Sequence, residues 1–192
     1  MPDVSNGYDA IVEDFIRLRS QKTGIEVVHN WAKSFEPESE ILDIGAGYGL
    51  PLTQILVDHR LSVCAIDASP KMVAAFRQKF PNIEVACEAA ENSTFFNRKY
   101  DGILSVGLIF LLSPDTQRQL FPRMAKALKP GGRLLFSAPK ETGAWQDVLS
   151  KRESYSLGET EYHHLLTASG LQISGSYVDE GGSHYYAATK PA

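Results

Sequence analysis

The feature that most constrains the fold is a short apolar run followed at once by three glycines at alternate positions. Residues 41–49 read Ile-Leu-Asp-Ile-Gly-Ala-Gly-Tyr-Gly, and a segment of helical periodicity follows from Leu50. A buried strand that leads through a glycine turn into a helix is typical of open α/β sheets, because glycine lets the backbone turn sharply and approach a ligand. The sequence therefore predicts a ligand site at the carboxyl end of this strand.

Short apolar runs and helical segments alternate along the rest of the chain, as they do in a parallel sheet with helices on both faces. Two helices are predicted before the sheet, over 8–19 and 25–35. Ser69 is expected to cap a later helix, with Pro70 in its first turn. The loop 179–183 is short enough to join an antiparallel pair. Strands are predicted at 41–44, 61–66, 83–87, 102–106, 133–138, 171–178 and 184–189.

Composition excludes several classes of protein. The formal net charge is −4, so a broad positive surface for nucleic acid is absent. No run approaches the roughly 20 apolar residues of a membrane helix, and the residues up to Asp9 lack a basic, apolar leader. We therefore expect a cytoplasmic protein without a membrane partner. Cys64 and Cys87 lie in strand-like runs without CxxC spacing, which favours reduced, buried thiols and no metal site.

Two acidic residues indicate what the glycine turn binds. Asp67 ends the second predicted strand, where a carboxylate can accept both hydroxyls of an adenosine ribose. Asp43 lies just before the glycines, where a carboxylate opposes the pyrophosphate of a dinucleotide. S-adenosylmethionine carries a sulfonium and an ammonium instead, and an acid complements both. The Gly-x-Gly-x-Gly spacing also differs from the Gly-x-Gly-x-x-Gly dinucleotide fingerprint.

Four segments together resemble the class I S-adenosylmethionine-dependent methyltransferases, and the likeness extends over nearly the whole chain. They are 43–49, 65–69 (Ala-Ile-Asp-Ala-Ser), 100–102 (Tyr-Asp-Gly) and 128–132 (Leu-Lys-Pro-Gly-Gly). The closest likeness is to small bacterial members that act on small molecules. The resemblance implies a Rossmann-like α/β fold, a doubly wound mixed seven-stranded sheet with the last strand antiparallel, which agrees with the predicted strand order.

The resemblance also implies which residues bind the cofactor. Gly45, Ala46 and Gly47 would lie against its methionine part, and Asp67 on its ribose. The remaining implied contacts are Ala68 and Met72 beside the adenine, Glu88 and Ala89 near the adenine amino group, Ser105, Val106 and Gly107 behind the methionine, and Tyr8 at the carboxylate, with Asp43 close to the loop.

The chain shows no repeat, low-complexity tract or linker, so a single methyltransferase domain over 1–192 is predicted. Within it, 1–39 forms N-terminal helices, 40–138 the cofactor-binding core, and 139–192 a substrate-side loop, a helix and a terminal hairpin. The oligomeric state is left open.

The acceptor is less well defined than the cofactor. The run Gly107 to Leu112 is apolar and lacks the Asn/Asp-Pro-Pro-aromatic motif of enzymes that methylate nucleic acid bases, which favours a small, partly apolar molecule. The catalytic residue is unknown, because methyl transfer can proceed by alignment alone. If a base is needed, the candidates are Glu141, His163 and His184, with Tyr155 and His164 beside them. Trp145, Tyr185 and Tyr186 are candidates for the pocket wall.

Two other functions remain open on the sequence alone. One is a nicotinamide-dependent oxidoreductase, which Asp43 and the glycine spacing oppose. The other is a non-catalytic S-adenosylmethionine-binding or scaffold protein, since no indispensable catalytic side chain is visible.

Overall fold

The computed structural model describes residues 3–19 and 22–192. The first predicted helix is divided into a short 3-10 helix, Tyr8–Ile11, and α1, Val12–Leu18. The second helix, α2, covers Ile25–Ala32 and ends before Phe35. The sheet and its covering helices follow as β1 (Glu40–Ile44), α3 (Leu52–Asp58), β2 (Ser62–Asp67), α4 (Pro70–Lys79), β3 (Glu84–Cys87), β4 (Tyr100–Ser105), α5 (Pro114–Ala127), β5 (Leu128–Ser137), β6 (Gly143–Gln146), β7 (Glu153–Ser156), α6 (Glu159–Ala168), β8 (Gln172–Val178) and β9 (His184–Thr189).

Seven strands form one mixed sheet in the order β3-β2-β1-β4-β5-β9-β8. The first five pair in parallel, and β9 runs antiparallel to both of its neighbours, β5 and β8. The predicted fold class is thereby confirmed. Because the strand order reverses between β1 and β4, a crevice opens outside the carboxyl ends of these strands.

Both faces of the sheet are covered, and successive side chains of a strand enter different cores. Ile41 packs with α2 and α3 residues such as Val28 and Leu56, whereas Leu42 packs with Phe121 and Met124 of α5 on the opposite face. All six side chains are fully buried. This two-sided burial explains why the strands read as continuous apolar runs rather than as alternating ones.

Local capping agrees with the sequence at α4. The Ser69 hydroxyl accepts a hydrogen bond from the Met72 backbone N–H at 3.1 Å, and Pro70 occupies the first turn. The α4 N-terminus is thus satisfied by its own chain, as the sequence predicts.

The structure differs from the prediction at two places. Residues 139–158, expected to be a loop, contain the antiparallel hairpin β6–β7, which alternation could not indicate because three of the four β6 residues are exposed. Cys87 was expected to be buried but is exposed at the end of the edge strand β3, whereas Cys64 in β2 is buried. Both thiols are free.

Within the described part of the chain, no helix combines the length and apolar character needed to cross a membrane.

Candidate active site

The glycine turn after β1 is held against β2 by the backbone. The N–H groups of Gly45 and Ala46 both donate to the Ile66 carbonyl, at 2.8 and 3.1 Å. Gly47 has φ +58°, and a Cβ placed there would meet only the Phe15 ring at 3.9 Å. Space therefore lies directly above Gly47, so a ligand can contact the bare backbone.

Asp67 connects the end of β2 to this turn. One carboxylate oxygen accepts from the Gly47 N–H at 2.8 Å, and the other accepts from the Ser69 N–H at 2.9 Å. Burial raises the pKa of Asp67, and the two backbone hydrogen bonds act in the opposite direction. The carboxylate borders the pocket and shapes the loop at the same time.

Asp43 lies beneath the turn with 4% of its surface exposed. Its carboxylate accepts from the Thr53 hydroxyl at 2.7 Å, a contact between β1 and α3. Burial raises the pKa of Asp43 to about 7, the Thr53 hydrogen bond lowers it, and the charge of Asp67 raises it further. A cation arriving in this pocket would favour the ionised form of this carboxyl group.

One pocket of about 1170 Å³, including the space open to solvent, lies over the turn. All predicted cofactor residues except one border it: Tyr8, Asp43, Gly45, Ala46, Gly47, Asp67, Ala68, Met72, Glu88, Ala89, Val106 and Gly107.

Ser105 is the exception, since its side chain is fully buried below the pocket and does not border it. Its hydroxyl has no hydrogen-bond partner in the structure. The sequence placed Ser105 correctly at the end of β4, but strand alternation turns its side chain away from the crevice.

The N-terminal segment covers one side of the pocket. Asp9 accepts from the Ser69 hydroxyl at 2.7 Å and from the Lys71 N–H at 2.9 Å, which fastens the 3-10 helix to the start of α4. The Tyr8 hydroxyl donates to Asp147 at 3.3 Å, in the loop between β6 and β7. Burial and the Asp147 carboxylate raise the pKa of Tyr8 above its usual range, so Tyr8 remains a phenol.

Several residues that border the pocket were not predicted from the sequence, among them Phe15 and Arg19 of the N-terminal segment and Tyr48 of the glycine turn. Leu108 and Phe110 also border it, and they belong to the apolar run 107–112, whose composition predicts a pocket wall. Helical spacing placed Phe15 on an apolar face but gave no indication that this face meets residue 48.

The candidate bases do not reach the pocket. Glu141 is exposed before the β6–β7 hairpin, and none of Glu141, His163 and His184 borders the pocket. His184 packs on Tyr186 with ring centroids 4.7 Å apart, and His163 meets the same ring edge-on at 5.8 Å. Both histidines therefore lie on the α6 side of the molecule, outside the pocket. This position differs from the predicted one, in which they would lie near the transferred methyl group. Tyr155 and His164 also lie outside the pocket.

The three candidate wall aromatics have different positions. Tyr185 and Tyr186 are buried in β9, as ordinary core aromatics are. Trp145 of β6 packs against the pocket residue Phe110, with ring centroids 5.8 Å apart. Trp145 thus supports the wall from behind.

The fold and the pocket together define a Rossmann-like α/β enzyme whose acid-lined glycine turn suits a cationic nucleoside. A family model described as a methyltransferase domain matches residues 41–132, the part from β1 to the start of β5. Over these residues the chain is similar to methyltransferase domains, and its fold is that of the Rossmann-like methyltransferases.

Individual proteins are similar over most of the chain. An uncharacterized methyltransferase of Mycobacterium bovis is 27% identical over 166 residues, covering 79% of this chain and 67% of the relative. The 1,6-didemethyltoxoflavin-N1-methyltransferase of Burkholderia thailandensis has a TM-score of 0.78 at 18% identity, covering 98% of this chain and 88% of that one. An N-methyltransferase of Bradyrhizobium japonicum, solved with S-adenosylhomocysteine, has a TM-score of 0.72 at 18% identity and full coverage of both chains.

Proposed function

We propose that this chain is one methyltransferase domain that binds S-adenosylmethionine over the Gly45–Gly49 turn and passes its methyl group to a small-molecule acceptor. The observation that carries the proposal is a single pocket with carboxylates at the ends of β1 and β2 and an apolar wall after β4. In this division, 1–39 contributes the N-terminal helices, 40–138 is the cofactor-binding core, and 139–192 is the substrate-side loop, helix and terminal hairpin.

The residues present fit the cofactor chemically. The open backbone above Gly47 accommodates its methionine part, and the Asp67 carboxylate matches a ribose diol. Ala68, Met72, Glu88 and Ala89 form the adenine side, while Val106 and Gly107 close the methionine side. Arg19 is the cationic side chain that borders the pocket within the described residues, and it suits the cofactor's carboxylate, with Tyr8 beside it.

When bound, S-adenosylmethionine supplies an electrophilic methyl group on a positively charged sulfur. The protein's own contribution is to align the acceptor with this methyl group and to exclude water. Alignment of the reacting groups can lower a barrier by roughly 7–11 kcal/mol. Asp43 and Asp67 supply carboxyl groups on the side of the pocket that would hold the cationic cofactor, and Tyr8 with Phe15 shields the pocket from solvent. Because no candidate base borders the pocket, orientation rather than proton abstraction is the main catalytic device.

The acceptor is proposed to be a small molecule rather than nucleic acid or a membrane component. The pocket is enclosed by the N-terminal segment on one side and by the β6–β7 hairpin behind Phe110, and the net charge is −4. A cytoplasmic location is proposed with it, which the two unpaired thiols support because reduced cysteines are usual in that compartment.

Calorimetric titration tests the cofactor assignment directly. We expect S-adenosylhomocysteine to saturate one site per chain, and NAD⁺ to give no binding heat under the same conditions. Binding of NAD⁺ without S-adenosylhomocysteine would instead support an oxidoreductase. Incubation with methyl-labelled cofactor and a metabolite extract then separates an enzyme from a scaffold, since a scaffold transfers no label.

The raised pKa of Asp43 leads to a pH prediction. Its folded pKa, about 7, exceeds the unfolded value, so its contribution to the stability of the empty protein is lost as pH rises from about 4 through 7. A bound sulfonium favours the ionised carboxylate, so S-adenosylmethionine should bind about tenfold more tightly at pH 8 than at pH 6.

S-adenosylhomocysteine serves as the matched ligand for this measurement because it lacks the sulfonium charge. Its affinity, measured by calorimetry over the same pH range, should change less than that of S-adenosylmethionine. The Asp43→Asn variant should bring the two pH profiles together. Identical profiles for both ligands in the wild-type protein would contradict an electrostatic role for Asp43.

A further inference from the structure

The two ends of the pocket differ in chemistry, and sheet order explains why. Asp43 and Asp67 lie at the carboxyl ends of β1 and β2, and Glu88 and Glu91 follow β3, so all four carboxylates lie on one side of the crevice. On the other side, the segment after β4 contributes only apolar wall residues and backbone: Val106, Gly107, Leu108, Phe110, Leu111 and Leu112.

Aromatic rings border the pocket both on the side of the N-terminal segment and on the side that follows β4. Tyr8, Phe15 and Tyr48 form a chain of edge-to-face contacts, with centroids 5.4 Å apart for the first pair and 6.2 Å for the second. Phe110 contributes a ring from the opposite wall and is supported by Trp145. Aromatic faces and edges of this kind favour flat ring partners over aliphatic ones.

The Phe110 wall is held rigidly by a buried polar network. The Gln117 side-chain amide donates to the carbonyls of Leu112 and Tyr155, both at 2.9 Å, and its oxygen accepts from the Tyr162 hydroxyl at 2.9 Å. Gln117 is fully buried, so this single side chain ties the pocket wall to the hairpin and to α6. A fixed wall selects its ligand by shape.

Charge restricts the acceptor further. Of the described residues that border the pocket, only Arg19 is cationic, and the proposed function assigns it to the cofactor's carboxylate. An acceptor that carried a carboxylate or phosphate would bury that charge against Leu108, Phe110 and Leu111 without a partner, which is unfavourable. A cationic acceptor would also lack a partner at the apolar end, because the carboxylates lie at the cofactor end of the pocket.

We infer that the acceptor is a flat, uncharged heteroaromatic compound that packs against Phe110 and is methylated on a ring nitrogen. This inference rests on the proposed function. A ring nitrogen suits the site because its lone pair is available in neutral water and requires no base. The nitrogen lone pair forms the new N–C bond while the S–C bond breaks and its electron pair stays on sulfur. The positive charge moves from sulfur to the ring, and where a second ring nitrogen carries a hydrogen, that proton then passes to water and leaves a neutral product.

A set of probes with one ring system and different charges tests the inference. The probes are quinoline (neutral), quinoline-4-carboxylate (anionic) and N-methylquinolinium (cationic), with sarcosine as a zwitterion without a ring. Each is titrated against the wild-type protein saturated with S-adenosylhomocysteine, and binding is followed by calorimetry. Binding is the readout because it does not require the natural acceptor. Quinoline should bind at least tenfold more tightly than each charged or aliphatic probe.

Two variants test whether quinoline binds against Phe110. Phe110→Ala should weaken quinoline binding about tenfold and leave the affinity for S-adenosylhomocysteine within twofold. Tyr177→Ala is the matched control, because Tyr177 is an exposed aromatic of β8 that does not border this pocket. It should change neither affinity.

The outcomes separate this inference from the proposed function. Equal or tighter binding of a charged probe or sarcosine, or no quinoline binding while S-adenosylhomocysteine binds, would overturn the heteroaromatic acceptor and leave the cofactor assignment intact. Failure of S-adenosylhomocysteine to bind would overturn the proposed function itself. If Phe110→Ala does not weaken quinoline binding, the proposed binding position against Phe110 is also rejected.

Discussion

Replacing Asp67 by alanine is expected to weaken binding of S-adenosylhomocysteine by roughly 30- to 150-fold, or about 2 to 3 kcal/mol. The substitution removes a carboxylate positioned for charge-assisted hydrogen bonds with a ribose diol. It also leaves the N–H groups of Gly47 and Ser69 without the acceptor they now share, which loosens the turn. Calorimetry measures the affinity, and circular dichroism verifies that the fold is retained.

Asp101→Ala is the matched control for this variant. The Asp101 carboxylate likewise accepts hydrogen bonds from a backbone N–H, that of Glu40 at 2.8 Å, and from the charged Lys129 side chain at 2.9 Å. It lies near the amino end of β4, however, at the end of the strands opposite the pocket. Its loss should leave cofactor affinity within twofold. An Asp67→Ala protein that binds S-adenosylhomocysteine as tightly as the wild type would remove Asp67 from the site.

Gly49→Ala is expected to have the largest effect on stability, a loss of about 2 to 5 kcal/mol. Gly49 has φ +87°, where an L side chain is strained, and a Cβ there would clash with the Phe80 ring and approach the Phe76 ring to 3.0 Å. Both rings are buried in one cluster with Ala65 of β2 and Val85 of β3, so they cannot move aside freely. Thermal unfolding should show a fall in Tm on the order of 10 °C.

Gly131→Ala separates the two causes of that loss. Gly131 has φ +77° but no atom within 4 Å of an added Cβ, so the variant experiences backbone strain without a steric clash. It should lose about 1 to 2 kcal/mol. Equal losses for Gly49→Ala and Gly131→Ala would show that the Phe76–Phe80 contact is not the reason for glycine at position 49.

The cofactor end of the site could be anticipated because its residues are adjacent to predicted strand ends. In a parallel sheet the carboxyl ends of neighbouring strands meet at one edge, so Asp43, the glycines and Asp67 had to converge there. Ser105 shows the limit of this reasoning, since the position along β4 was right but the direction of the side chain was not.

The acceptor end could not be anticipated in the same way. Phe15 and Arg19 border the pocket only because Asp9 accepts hydrogen bonds at the start of α4 and the Tyr8 hydroxyl donates to Asp147. The partners in these contacts are separated by 60 to 139 positions in the sequence. The β6–β7 hairpin carries no apolar alternation, so nothing local indicated that Trp145 would support Phe110. His163 and His184 were plausible bases by residue type, and only packing against Tyr186 places them elsewhere.

The sequence by itself determined the doubly wound sheet, its reversed last strand and the acid-flanked glycine turn, because strand periodicity, glycine conformation and charge act over a few neighbouring residues. Tertiary structure alone decided which residues of the N-terminal segment border the pocket and which wall the β6–β7 hairpin supports, since both depend on how these two segments dock on the crevice. Docking is governed by contacts between distant residues, and such contacts leave no periodic pattern in the chain.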